Sequence, residues 1–432
     1  MILWILEVFF IFLTGLMLTY LVRHYIFTIT VLRGTNKDHK PKSTEVSAFE
    51  PTVSILIPAH NEEKVIGRLL ERITELTYPK DKLQVIVIND ASSDKTGEIA
   101  DYYRNKYAFI EVLHREKGEG GKGKAAACNA AFNKSKGEIV LCFDADYYPT
   151  RDIVEKLAGQ FVDPEVGAVQ GRVVVLNEPQ NIVTRLVALE RIGGYRVDQE
   201  AREELKLIAQ YGGTVGGVRS SLLRSLHGWD ETVLAEDTDL TLSVYLAGYK
   251  IRYNVDAECY EEAVDTWKAY RRQRYRWAKG HMQCFFKHFW SVLRSKKLNM
   301  KEKIDALLLL NVYFMPIMAF LSLFAGLLLI FYGSPLVDLL WLFVPICLYS
   351  FVGNFAPFFE VGVGLYLDGR ERTQWLIPLL IFTLFYNIPI CFKALFDVAT
   401  SKILGKNTSI WVKTAHSGNG NCYIQNPSIN AS

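Results

Sequence analysis

Paired cysteines are the first thing this chain lacks. Its 432 residues hold seven cysteines, and no two stand in a Cys-x-x-Cys pair. That excludes the common zinc and iron–sulfur spacings, and an odd, scattered set argues for reduced thiols facing the cytosol. The eight histidines are equally dispersed and read as packing or surface residues. Excess charge of one sign is missing too: a net charge of +3 is too small for a nucleic-acid binder. Two nucleotide fingerprints are absent. Gly118-Glu-Gly-Gly-Lys-Gly-Lys124 lacks the Gly-x-x-x-x-Gly-Lys-Ser/Thr spacing, because Ala125 follows Lys124, and no Gly-x-Gly-x-x-Gly follows the first strand. ATPase and dehydrogenase readings weaken accordingly. No basic residue precedes the first apolar run and no small-x-small site follows it, which argues against a cleaved signal peptide.

Long apolar runs are what the chain has in quantity. Ile2 to Val22 is apolar except for Glu7, and Leu307–Tyr332, Leu339–Phe359 and Trp375–Phe392 carry no charge. Each approaches the roughly 20 residues that span a bilayer. Arg23, Arg33, Lys37, Lys40 and Lys42 follow the first run, which predicts an outer N-terminus and an inner second segment. Three C-terminal spans would put the tail outside, whereas Lys393, Lys402, Lys406 and Lys413 favour the inside. One segment that lies in the interface or breaks in two would reconcile them. Asn311, Asn354 and Asn387 fall in or near the spans, either lining a path or joining helices.

Between the runs lies an α/β pattern. Val53–Ile57, Val85–Ile88, Ile110–Leu113, Ile139–Phe143 and Ala168–Val175 read as strands, alternating with helices that start near Glu63, after Ser92 or Ser93 as cap, and at Ala125. This predicts a mostly parallel sheet with helices on both faces. Ligands in such sheets bind at the carboxyl ends of strands, where Asn61-Glu62, Asp90 and Asp144-x-Asp146 fall. Paired carboxylates there offer hard oxygen ligands to Mg²⁺ or Mn²⁺, or else make a solvated turn. Tyr211–Gly217 reads as a flexible stretch whose glycines let a bulky ligand approach the main chain. Glu236 and Asp237 precede the expected helix Leu240–Ala247, while Asp239 reads as its cap. Trp267–Lys279 is basic and aromatic with no acid, which suits a helix on the inner membrane surface with arginines toward lipid phosphates, above all Arg271 and Lys279.

The order Asn61-Glu62, Asp90, Gly123-Lys124 with Asn129, Asp144-x-Asp146, Glu236-Asp237 and Gln273-x-x-Arg276-Trp277 resembles the processive, membrane-embedded family 2 glycosyltransferases, such as cellulose, chitin, hyaluronan and poly-N-acetylglucosamine synthases. The resemblance covers roughly residues 50–300. Gln-x-x-Arg-Trp downstream of Glu-Asp is its specific part, and Asp-x-Asp its generic part. It implies a GT-A nucleotide-sugar-binding fold, a UDP-sugar donor (UDP-N-acetylglucosamine or UDP-glucose), and inverting transfer onto a growing β-linked glycan. A lipid acceptor, diacylglycerol or a polyprenyl phosphate, is the alternative, and a membrane transporter or scaffold is a third reading of a different class. By the match, Glu62 and Asp90 would hold uridine near the backbone of Ala59 and His60. Lys124 and Gln273 would also face the donor. Asp144 and Asp146 would handle the diphosphate and a Mg²⁺ or Mn²⁺ ion. Asp237 would be the general base, with Glu236 beside it. Arg276 would meet the pyrophosphate, and Gly213, Thr214 and Trp277 the acceptor.

The implied layout is a membrane helix over 1–33, a linker over 34–50, a cytoplasmic GT-A domain over 51–262, interfacial helices over 263–303, a C-terminal membrane region over 304–400 and a tail over 401–432. The expected location is the plasma membrane, in contact with its lipids, and an accessory membrane subunit is compatible with that placement. The sequence departs from the family in three ways. Its acceptor-region motif, Gly213-Thr214-Val-Gly-Gly217, is a variant. It has one N-terminal span where some relatives have two, and no cyclic-dinucleotide-binding domain is visible. The tail segment Trp411–Gly418 resembles a juxtamembrane segment of the family.

Overall fold

A computed structural model of the chain describes residues 2–34, 49–334, 355–405 and 418. Its strands are β1 (Val53–Ala59), β2 (Leu83–Asp90), β3 (Ile110–Arg115), β4 (Ile139–Cys142), β5 (Tyr148–Pro149), β6 (Val166–Val175), β7 (Gly216–Arg219) and β8 (Lys250–Glu261). They form one sheet in the order β3-β2-β1-β4-β7-β6-β8-β5. The β3-β2-β1-β4 half is parallel, as is the β6–β8 pair. β7 runs antiparallel to both β4 and β6, and β5 antiparallel to β8.

The sheet is therefore mixed, and the difference from expectation lies in the glycine-rich stretch. A Cβ on Gly217 would sit 2.2 Å from Leu141 Cδ2, and one on Gly216 2.5 Å from the Val169 carbonyl oxygen. These glycines let β7 squeeze between β4 and β6; they mark close strand packing rather than a flexible loop.

The helices are α1 (Ile2–Gly34), α2 (Ile66–Thr74), α3 (Thr96–Lys106), α4 (Lys124–Phe132), α5 (Ile153–Ala158) and α6 (Ile182–Arg191). α6 continues through a π-helical segment, Ile192–Gln199, into α7 (Glu200–Glu204). Then come α8 (Ser220–Ser225), α9 (Glu236–Leu246), α10 (Trp267–Arg294), α11 (Met300–Asn311), α12 (Met315–Phe331), α13 (Phe355–Leu367) and α14 (Leu380–Leu404). Strand periodicity divides the core in two. Ile55, Ile57, Val85 and Val87 face α2, while Leu56, Ile86 and Ile88 face α4 and α9. Burying each such side chain contributes about 1.5–3 kcal/mol.

Neither Ser92 nor Ser93 caps α3. The helix starts at Thr96, whose N–H donates to Asp94 Oδ1 at 3.0 Å. A carboxylate suits the positive end of a helix better than a hydroxyl.

Three helical stretches are long and apolar enough to cross a membrane: Ile2–Gly34, Met300–Phe331 and Glu371–Leu404. Most of the apolar run Leu339–Phe359, including Asn354, lies outside the described residues. So do most of the linker, Lys406, Lys413 and the rest of the tail beyond residue 405 apart from Gly418. Ion pairs fasten these helices to the sheet domain. Arg23 of α1 pairs with Asp198 and lies 3.8 Å from Asp305 of α11, and buried Arg202 bridges the same two aspartates. After α13, Asp368 receives Arg172 and Arg196, and Arg370 pairs with Glu178.

The basic helix α10 departs from the expected lipid-facing pattern. Arg271 and Arg272 are exposed, but Arg274 turns inward to Glu190 and Lys279 is buried. Burial pushes the Lys279 ammonium down, against the opposing pull of Asp397. α10 packs lengthwise on α14, Tyr275 donating to Asp397, so its basic face is shared between protein carboxylates and the outside.

Candidate active site

Strand ends β1, β2 and β4 bring the expected donor-side residues together. His60 Nδ1 lies 2.6 Å from the Asp90 carbonyl oxygen. Asn61 takes a positive φ, its N–H donating to the Ser92 hydroxyl, and its side-chain oxygen accepts from Ser93 N–H at 2.7 Å. Glu62 N–H donates to the Thr96 hydroxyl at 2.7 Å. The buried Asp90 carboxylate accepts from Arg115 at 2.5 Å and from Gly121 N–H at 2.9 Å. Asp90 therefore pins the glycine-rich loop that leads into α4, which brings Lys124 to the β4 edge.

The central cluster lies one strand over. Lys124 Nζ pairs with the Asp144 carboxylate. Burial alone would lower its pKa, but Asp144 and Glu236 outweigh that and hold the ammonium above its usual range. Glu236 is pushed up to about 7, first by burial and then by Asp237, against the pull of Lys124 and Arg276. Both acids sit in the first turn of α9. This corrects the expectation that they precede the helix: four helical residues more than expected form ahead of Leu240, and three acids in one turn suit the positive helix end. Asp237 Oδ1 accepts from Thr238 N–H at 2.6 Å. Gly213, at φ +75°, lies against Asp237, and the Thr214 hydroxyl accepts from Asp144 N–H at 3.2 Å. Asp239 turns away, to His288 and Lys287, each at 2.6 Å.

α10 closes the site because Gly280 has no side chain. A Cβ there would lie 2.6 Å from Ala235 N, next to Glu236. This approach carries Arg276 into electrostatic reach of Glu236.

The two aspartates of Asp-x-Asp point to different neighbours. Asp144 faces Lys124, whereas Asp146 is buried, its carbonyl accepting from Arg68 at 2.6 Å and its carboxylate from Glu262 N–H at 3.3 Å. Among the described residues, no group of three His, Cys, Asp or Glu stands ready for a metal.

Sequence reasoning missed a second layer. Arg191 of α6 grips Glu261, which also accepts from the Tyr147 hydroxyl at 2.9 Å. The Arg191 and Arg274 guanidiniums lie 5.1 and 4.5 Å from the Trp277 ring centre. His281, one turn beyond Trp277, lies 3.2 Å from the Thr238 hydroxyl through Nε2. Burial pushes its pKa down to about 4, with Asp237 opposing, so the ring is neutral at neutral pH. The four-three-four spacing of Tyr270, Arg274, Trp277 and His281 on one helix face was the available signal.

A mixed α/β sheet with acids at its strand ends and in the first turn of the helix beside them defines a nucleotide-sugar transferase fold of the GT-A class. Residues 54–224 match the sequence model of glycosyl transferase family 2, and this segment is a family 2 glycosyltransferase domain. The chain is 39% identical over 276 residues to a probable glycosyltransferase, YdaM, of Bacillus subtilis, covering 64% of each chain. It is 32% identical over 268 residues to the β-monoglucosyldiacylglycerol synthase of Synechocystis, covering 62% of this chain and 55% of that one. It thus spans less than two thirds of the length of these relatives. The solved structure of the mannosyltransferase PcManGT from Pyrobaculum calidifontis, in complex with GDP-Man and Mn²⁺, shares the fold. The TM-score is 0.58 at 23% identity, over 85% of this chain and 99% of that one.

Proposed function

We propose that the chain is a membrane glycosyltransferase that moves one hexose from a UDP-sugar to the free hydroxyl of a membrane lipid of the diacylglycerol class. The observation that carries the reading is the convergence of Lys124, Asp144, Glu236, Asp237 and Arg276 at one edge of the sheet, beside the apolar helices. In this reading Asp237 takes the proton from the acceptor hydroxyl as its oxygen attacks the anomeric carbon. The bond to the diphosphate oxygen breaks on the opposite face, so a single displacement inverts the anomeric centre. Lys124 and Arg276 bring positive charge to the departing diphosphate. Asp144, whose carboxylate lies at the cluster, would hold a Mg²⁺ or Mn²⁺ ion, which when bound would neutralise the diphosphate, and Asp146 would join it only by turning from the Glu262 N–H. α1, Met300–Phe331 and Glu371–Leu404 cross the plasma membrane, with the sheet domain on the cytoplasmic side, where Arg23 and Arg33 lie.

Two observations favour a lipid product over a polymer. One is the likeness to β-monoglucosyldiacylglycerol synthases. The other is Trp277: a growing glycan needs an open aromatic platform, whereas this ring has two arginines against it. The test is size-resolved analysis of products from radiolabelled UDP-sugars and diacylglycerol with the purified full chain. A monoglycosylated lipid is expected, and a long glycan would overturn the reading. Asp237→Asn is expected to lower transfer by ~10²–10⁴-fold with UDP binding retained.

A further inference from the structure

Tyr195 stands in the π-helical segment Ile192–Gln199, and the proposed transfer leaves it without a task. π-helical turns are uncommon and recur at functional sites. This one brings the Tyr195 hydroxyl onto the glycine run before β7: a Cβ on Gly212 would sit 3.2 Å from it. A Cβ on the next residue, Gly213, would sit 3.1 Å from Asp237 Cβ and 3.5 Å from Asp237 Oδ2. The residue after that, Thr214, accepts through its hydroxyl from Asp144 N–H at 3.2 Å. Three consecutive residues, about 3.8 Å apart at Cα, therefore touch Tyr195, Asp237 and Asp144 in turn.

This short floor is held in place. Gly212 N–H donates to the buried Gln170 side chain at 2.6 Å, and Gln170 Nε2 donates to the Thr214 carbonyl at 3.0 Å. Tyr211 N–H donates to the Thr241 hydroxyl at 3.0 Å. With no side chain at 212 or 213, bare backbone separates the tyrosine from the proposed base.

The Tyr195 ring is steadied too. The Arg191 guanidinium lies 5.9 Å and the Tyr253 ring 6.5 Å from its centre. The side chain is half-buried, and its hydroxyl has no hydrogen-bond partner among the described residues. Burial pushes its pKa up to about 12, against the pull of Arg191, so the oxygen keeps its proton and is free to donate.

In a displacement, the carbon under attack lies between the leaving and the attacking oxygen. Asp144 serves the leaving diphosphate in the proposed reaction, and Asp237 serves the attacking hydroxyl. A donor seated on the same floor as both faces the group in transit, and a hexose carries hydroxyls around its ring. We infer that Tyr195 is a sugar-specificity residue, its hydroxyl donating a hydrogen bond to a hydroxyl of the hexose being transferred. This rests on the UDP-sugar transfer reading proposed above.

The experiment uses the full chain in nanodiscs with diacylglycerol as acceptor. The donors are UDP-glucose and UDP-N-acetylglucosamine, each with analogues lacking one ring hydroxyl. Tyr195→Phe keeps the ring and removes only the hydroxyl. It is expected to lower kcat/KM for the preferred donor about tenfold, the loss of one hydrogen bond, while UDP affinity and the acceptor KM stay within about twofold. One analogue is expected to show the same loss with the wild type and no further loss with the variant, because each lacks one half of the same bond. A purely structural tyrosine would penalise every donor alike. Equal penalties across the analogues, or a loss confined to the acceptor KM, overturn the proposal. So does a wild type that tolerates every analogue, whatever the variant does. A wild type that transfers from neither UDP-sugar strikes the proposed function itself, whereas an active wild type with an unaltered variant strikes Tyr195 alone.

Discussion

Glu236 shows how burial sets the charge of a single residue in this site. Its carboxyl is pushed up to about 7 by burial and by Asp237. In the unfolded chain the group titrates near 4.5, so between those two values the folded state binds more protons. Stability contributed by this group therefore falls as pH rises through that window and stays reduced above it. Glu236→Gln removes the penalty. The variant is expected to be more stable than the wild type at pH 8, on the order of 1–3 kcal/mol, and to converge with it at pH 4. Thermal unfolding in detergent at the two pH values measures this; an equal offset at both would show that the charge of Glu236 is not the cause.

At the scale of elements, α10 owes its position to one missing side chain. A Cβ at Gly280 would be 2.6 Å from Ala235 N and 2.7 Å from Ala235 Cβ. Gly280→Ala is expected to push α10 away from the start of α9 and separate Arg276 from Glu236. An ångström of misplacement costs ~10²-fold in rate, so transfer is expected to fall by that order while the protein stays folded. The kcat and the melting temperature of the variant, taken together, test this; an unchanged kcat would show that the contact yields without moving α10.

Strands β1, β2, β3, β4 and β6 were readable because they are apolar and β-branched, and their ends placed Asp90 and Asp144. β7 was not, because glycines that permit close strand approach look like loop in a sequence. β8 alternates polar and apolar residues over a register shift against β6, which blurs its period. Arg191 and Glu261, 70 residues apart, have no local pattern that would announce their pairing. His281 went unnoticed because its helical spacing from Trp277 was the one sequence signal for it, and its contact with Thr238 is made by packing.

For the whole molecule, the bond between the long apolar helices and the sheet domain is ionic as well as apolar. Asp305 is buried with Arg202 and close to Arg23. Removing one member of a buried charge network leaves the others uncompensated. Asp305→Ala is therefore expected to cost ~3–5 kcal/mol and to loosen α1 from the rest. Limited proteolysis between α1 and β1, with a thermal melt, measures it. A variant as protease-resistant as the wild type would mean that apolar packing alone holds α1.

The same cluster has a consequence for biosynthesis. Arg23 leaves the ribosome long before Asp198, and Asp305 follows later still. In the membrane reading proposed above, the first helix rests until then in the bilayer with its guanidinium held by water or lipid phosphate at the membrane edge. On that reading the helix gains its last ionic partner only when the chain has been made as far as Asp305, so its final depth is set late, by a residue nearly three hundred positions downstream.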